Sequence, residues 1–375
     1  MHPATSTYLD LLRLTAAVVV FFGHAGSLVL TGGLPVLWRF VSFGNDAVMA
    51  FFVLSGFVIA HVARERERTP TVYAVSRLAR LYSVVAPAIA LTVVADTLGS
   101  SLAPSLYGAD WFATDGAAWR IAANLFFVNE LWFSSTRPFS NVPFWSLGYE
   151  FWYYMIFGAA IFLRGRVRVV VIGGLALIVG PKILLLLPVW LAGVWAYRRT
   201  QMQTLSVRAG ALLAVGSLLG YLFFRLLDGP GWFDGVTKQW LGSEGVAALH
   251  FSKWFLSSYV IGMFMALHLV GVAALAPLLA RRLPGPVIRY LASFTFALYL
   301  FHYPLLYFFA AWLEHAGLSA WRGALVIPAT LLTVWLLGQL TERRKPTVRR
   351  WLSAAAEVMA KEGRRWAVAA GVMRH

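Results

Sequence analysis

Two histidines, three carboxylates and three arginines stand in stretches of sequence that are otherwise nearly free of charge. In "LLRLTAAVVVFFGH", Arg13 and His24 are eleven positions apart. On a helix this is three turns plus about 20°, so both face the same way, roughly 16 Å apart along the axis. Asp46 opens "GNDAVMAFFVLSGF". Glu150 lies in "NVPFWSLGYEFWYY" with Trp145 and Ser146 one turn before it. His302 lies in "LYLFHYPLL" with Tyr299 three residues back and Pro304 two ahead. Pro304 lacks an N–H, so it should free a backbone carbonyl one turn earlier. Arg77 and Arg80 in "SRLARLY" are i, i+3 and share a helix face, and Glu342 opens "ERRKP". Ionisable groups in apolar segments are costly, and they default to functional candidates.

These types fit a limited chemistry. A histidine with a carboxylate or second histidine can move a proton or carry an acyl group. Paired guanidiniums offer fixed-geometry donors to phosphate. No His-x-x-x-His or Glu-x-x-His spacing supports a metal, no Gly-x-Ser-x-Gly elbow supports a serine hydrolase, and no nucleotide-binding glycine motif occurs. With no cysteine, thiolate catalysis, disulfides and cysteine metal sites are excluded.

The elements that must position these residues are membrane helices. Of the 375 residues, 59% are hydrophobic and 13% charged, where a soluble chain carries about 25% charged residues. Ten apolar segments recur, near residues 8–30, 44–63, 76–98, 143–163, 167–181, 183–198, 206–227, 250–275, 287–312 and 321–342. The fifth and sixth are separated only by "GPK" at 180–182 and form either a tight hairpin or one broken helix. The pattern predicts an all-α polytopic transmembrane bundle of about ten helices. A membrane domain covers 1–345, and a basic tail, 346–375, follows it.

The net charge of +16 does not point to nucleic acid, because the basic residues sit in short loops and in the tail. With both termini cytoplasmic, internal loops, their flanks and the tail hold 23 of the 32 Lys+Arg. The reverse orientation would place that excess outside, so the chain reads as N-in, C-in in the cytoplasmic (inner) membrane. No cleaved signal peptide is expected from "MHPATSTYLD". Residues 117–133 read as an external interfacial helix. In the tail, Trp351, Ala355, Val358, Met359 and Trp366 fall on one face, as for a helix lying on anionic lipid.

This topology assigns depths. Arg13, Arg77, Arg80 and Glu342 form an inner layer. His24, Asp46, Glu150 and His302 form an outer one.

Several stretches together resemble the membrane-integral acyltransferase-3 family. They are "YLDLLRLTAAVVVFFGH" with its Arg-x10-His, "FFVLSGFVIA", "RLAR", "FWSLGYEFWYY", "ASFTFALYLFHYPLL" and "ERRKP", in family order across residues 8 to 346. One departure is Ser83, where the family often places proline after its Arg-x-x-Arg; here Pro87 comes later. No appended hydrolase-like domain is visible.

The resemblance implies transfer of an acyl group, commonly acetyl, from cytoplasmic acyl-CoA. The acceptor would be a hydroxyl of an envelope glycan, a lipid-linked sugar or a secondary metabolite. On that reading Arg13, Arg77 and Arg80 meet the CoA. His24 acts as general base or covalent acyl carrier, with Glu150 or Asp46 orienting it. His302, Tyr299, Ser146 and Trp145 polarise the thioester or position the acceptor, and no metal takes part. A transporter or flippase using the same residues as a proton relay is the rival reading.

Overall fold

The computed structural model describes residues 1–32, 34, 37–108, 112–202 and 205–369, with the side chains of Leu28, Trp38, Ala360 and residues 363–369 left aside. Trp366 therefore lies outside the described side chains. Among the described residues there are helices and no strand.

Helix α1 (Pro3–Ala25) starts at a proline, behind a His2 side chain that accepts from the Ala4 N–H. Helix α2 (Gly44–Glu65) carries Asp46 in its first turn, where the helix dipole favours an anion. Helix α3 (Pro70–Leu102) is capped by Thr69. A short α4 (Ala117–Leu125) is followed by an extended external segment and α5 (Trp145–Phe162). Then come α6 (Gly165–Met202), α7 (Val207–Leu226), α8 (Gly229–Ala248), α9 (Phe255–Ala274), α10 (Thr295–His315), α11 (Arg322–Leu340) and α12 (Lys345–Ala369).

Among the described residues, eight helical stretches are long and apolar enough to cross a membrane. Two features separate this number from the ten apolar segments. Segment 143–163 is α5, whose 18 residues include Glu150 and a run of Trp and Tyr that dilute its hydropathy. Segments 167–181 and 183–198 are one element, α6, interrupted at Gly180. Gly180 has φ +74°, a left-handed value that favours glycine, and Pro181 follows it. The interfacial helix expected over 117–133 is shorter, because α4 ends at Leu125 and the chain beyond it turns to pack on the break in α6.

That docking is specific. The Trp132 N–H donates to the Val179 carbonyl at 2.9 Å, and its indole donates to Leu177 at 3.0 Å. Lys182, fully buried just past the break, donates to Glu130 at 2.8 Å and to the Ser134 carbonyl. Ser252 and Tyr153 donate to the carbonyls of Lys182 and Ile183 at 2.8 and 3.0 Å. The carbonyls and the lysine exposed by the break are thereby satisfied, as an apolar surrounding requires.

The core sits where α1, α2, α3, α6 and α10 meet. Helices α2 and α6 touch backbone to backbone. A Cβ on Gly56 would lie 2.0 Å from the Trp190 carbonyl oxygen, and one on Gly193 would lie 1.9 Å from that of Val53. Helix α10 is packed against α1, α3 and α11, so it can hold polar residues away from lipid.

Candidate functional site

The two histidines meet. His24 Nδ1 lies 2.8 Å from His302 Nε2, and the rings stack with centroids 5.1 Å apart. His302 is fully buried, and its Nδ1 is 2.8 Å from the Leu298 carbonyl oxygen. A carbonyl only accepts, so His302 Nδ1 carries the proton, and the Nε2 of the neutral ring accepts. His24 Nδ1–H is then the donor between the rings. The lone pair is left on His24 Nε2, where a general base needs it. Tyr303 packs edge-on against His24 with centroids 4.8 Å apart and completes its fixation.

Pro304 behaves as expected of a proline in this helix. The Leu300 carbonyl, four residues earlier, loses its intrahelical donor and accepts instead from Asn141 Nδ2 at 2.8 Å.

Glu150 and Asp46 do not orient His24, contrary to the sequence reading. Glu150 Oε1 accepts from Ser55 Oγ at 2.6 Å and from the Tyr154 hydroxyl, and Trp190 Nε1 donates to Ser55 Oγ at 3.2 Å. Asp46 accepts from Tyr221 at 2.8 Å and faces Arg225 at 3.6 Å. Both carboxylates have nearer donors on neighbouring helices, which is what fixes their direction.

Two cavities organise these groups. The first, of about 60 Å³, is lined by Arg13, Arg80, Ser55, Glu150 and Tyr154, together with Ser146 and Tyr299. Glu150 therefore belongs with the arginines and not with the histidine layer. The second, of about 500 Å³, is lined by His24, Asp46, Trp145, Arg225 and Tyr299. Trp145 stacks flat on Phe251 in its wall, with centroids 4.5 Å apart. Arg13 and His24, eleven residues apart on α1, thus line different cavities. Tyr299, whose hydroxyl is 2.8 Å from Ser146 Oγ, lines both.

The arginine pair of α3 is divided. Arg77 is buried and donates to both oxygens of Glu67, at 2.6 and 2.8 Å, so its charge is already matched. Arg80 lies over the Phe296 ring, 5.8 Å from its centroid, and its buried Nε, like that of Arg77, has no hydrogen-bond partner among the described residues. Arg13 is 3.2 Å from Asp10. Glu342 accepts from the Ala297 N–H at 2.9 Å and caps the start of α10, with Arg13 and Arg80 as the nearby cations.

Ser55, Tyr154 and Glu67 were missed from the sequence. Tyr154 is i+4 from Glu150, and Ser55 is a lone hydroxyl in an apolar run, so both left a signal. Glu67 left none, being one charge in "RERERTP". Among the described residues no group of three or more His, Cys, Asp or Glu is placed to hold a metal ion.

Residues 6–339 match the acyltransferase-3 family, described as an acyltransferase domain. No curated protein and no solved structure matches the chain.

Proposed function

The chain belongs to the acyltransferase-3 family, and from that premise we propose that it transfers a short acyl group, acetyl foremost, from cytoplasmic acyl-CoA to a hydroxyl of a glycan, lipid-linked sugar or secondary metabolite. The observation that carries this reading is the pair of cavities that share Tyr299 in their walls, one holding Arg13 and Arg80, the other His24. An extended pantetheine arm is of the same order as the ~16 Å between Arg13 and His24.

Acyl-CoA would enter from the arginine side. Arg80, with a free buried donor, and Arg13 meet its polar groups, while Glu150, held by Ser55 and Tyr154, faces the same cavity. Arg77 ties α3 to Glu67 in the preceding loop, which leaves its Nε as the donor it could offer to the CoA.

The acceptor hydroxyl then approaches His24. Its proton passes to His24 Nε2 as its oxygen attacks the thioester carbonyl. The new C–O bond forms, the C–S bond breaks, and the proton is returned to the departing thiolate. His302 accepts from His24 Nδ1–H and shares the positive charge that develops, the role a third group has in a catalytic triad. Tyr299 or Ser146 donates toward the carbonyl oxygen, and Trp145 and Asp46 face the acceptor. A proton-coupled transporter would use the same ionisable residues, but membership in an acyltransferase family favours the transferase.

The test uses purified protein and acetyl-CoA. Acetyl-CoA should raise the Tm of the wild type and of His24→Ala, and should not raise that of Arg13→Ala/Arg80→Ala. Mass spectrometry of envelope glycans and secreted metabolites should show an acyl group that disappears with His24→Ala at unchanged protein level. Wild-type acylation by His24→Ala would refute the mechanism.

A further inference from the structure

Among the described residues, Val48 and Tyr299 are the two that line both cavities. They come from facing helices, Val48 from α2 two residues after Asp46 and Tyr299 from α10 three residues before His302. Both are buried, 6% and 7% exposed. Neither is free to move aside. Valine is β-branched and confined near one rotamer in a helix. The Tyr299 ring packs edge-on against Phe51 at 5.7 Å, and its hydroxyl is tied to Ser146. The boundary between the arginine cavity and the His24 cavity is therefore made by two stiff side chains.

We propose that Val48 and Tyr299 form a waist that sets the length of the acyl group transferred, admitting short chains and rejecting longer ones. This rests on the acyl-CoA reading above. The pantetheine arm brings the thioester from the arginine side up to the waist, so the acyl group is the part of the donor that must pass between Val48 and Tyr299 toward His24. Each added methylene has to be accommodated between a branched aliphatic side chain and a ring edge, with no polar contact to offset the misfit. One methylene too many in a fitted apolar site costs roughly 10-fold or more in kcat/KM.

The experiment measures CoA thiol release from acetyl-, butyryl- and hexanoyl-CoA in native membranes carrying the protein, with the His24→Ala rate subtracted. Wild type should lose about 10-fold or more in kcat/KM between acetyl and hexanoyl. Val48→Ala should recover most of that loss on hexanoyl-CoA. Val48→Phe should lower acetyl turnover by about 10-fold or more while acetyl-CoA still raises its Tm. Should Val48→Phe fail to fold, Val48→Ala decides alone. An unchanged chain-length preference in Val48→Ala overturns the waist and leaves the acyl-CoA reading standing. A wild type that neither releases CoA from any of the three nor is stabilised by them overturns both.

Discussion

At the scale of single residues, the chemistry rests on which nitrogen holds a proton. The Leu298 carbonyl decides this for His302, and His302 decides it for His24. Removing His302 should therefore act through orientation. We expect His302→Ala to lower kcat by about 10²-fold with little change in KM for acetyl-CoA. His302→Asn should recover part of that loss, since its side-chain carbonyl can accept from His24 Nδ1–H. Steady-state kinetics separate the two parameters, and an equal rise in KM would instead mark His302 as a donor-binding residue. Glu150 belongs to a different unit, with Ser55, Tyr154 and Trp190. Tyr154→Phe removes one of its donors and should weaken stabilisation by acetyl-CoA without disturbing the histidine pair.

At the scale of elements, α6 and its partners hold the site in place. The contact of α2 with α6 requires glycine on both sides, so Gly56→Ala should force the helices apart and lower Tm, an overpacking cost of about 1–3 kcal/mol. This displaces Ser55 and with it Glu150, so activity should fall even where the protein still accumulates. The break at Gly180 depends on the buried Glu130–Lys182 pair. Glu130→Ala leaves a lysine unpaired in the interior, which costs about 3–5 kcal/mol. The double variant Glu130→Leu/Lys182→Met should regain most of it, because removing both charges removes the desolvation penalty as well. Thermal denaturation in detergent reads both, and a double variant no better than the single one would show that the pair's hydrogen bonds to the loop matter more than its charge.

At the scale of the whole molecule, two adjacent cavities give the proposed transfer a direction, from the arginine side to the histidine side. The charge bias predicts that the arginine side faces the cytoplasm. The absence of cysteine makes this simple to test with single introduced thiols. A cysteine at Arg66, in the loop between α2 and α3, should be protected in intact cells from a membrane-impermeant maleimide. One at Asp115, just before α4, should react. The reverse pattern would invert the topology and put the donor site outside, where acyl-CoA is not available. The exposed Trp351, Val358 and Met359 of α12 lie on one face, with Arg349, Arg350 and Lys361 nearby, and suit a surface in contact with anionic lipid on the same side.

Much of this was legible in the chain itself. Hydropathy fixes the helices, because a membrane segment must hide its backbone whatever its neighbours are. The Arg13–His24 spacing fixes a distance and a shared face, because helix geometry is local. The carbonyl freed by Pro304 follows from proline alone. What the tertiary structure decided is which polar group meets which. Asp46 lines the His24 cavity as its depth suggests, whereas Glu150 lines the arginine cavity, because a helix can rotate about its axis at no cost in hydropathy. Their partners, Ser55 and Tyr154 for one and Tyr221 and Arg225 for the other, depend on the rotation and packing of α2, α5 and α7. Arg77 and Arg80 look equivalent at i, i+3, and only the packed loop that brings Glu67 to Arg77 tells them apart. The histidine pair is the extreme case. Its members are 278 residues apart, and their 2.8 Å contact exists because α1 and α10 pack side by side, a relation between helices that hydropathy does not encode.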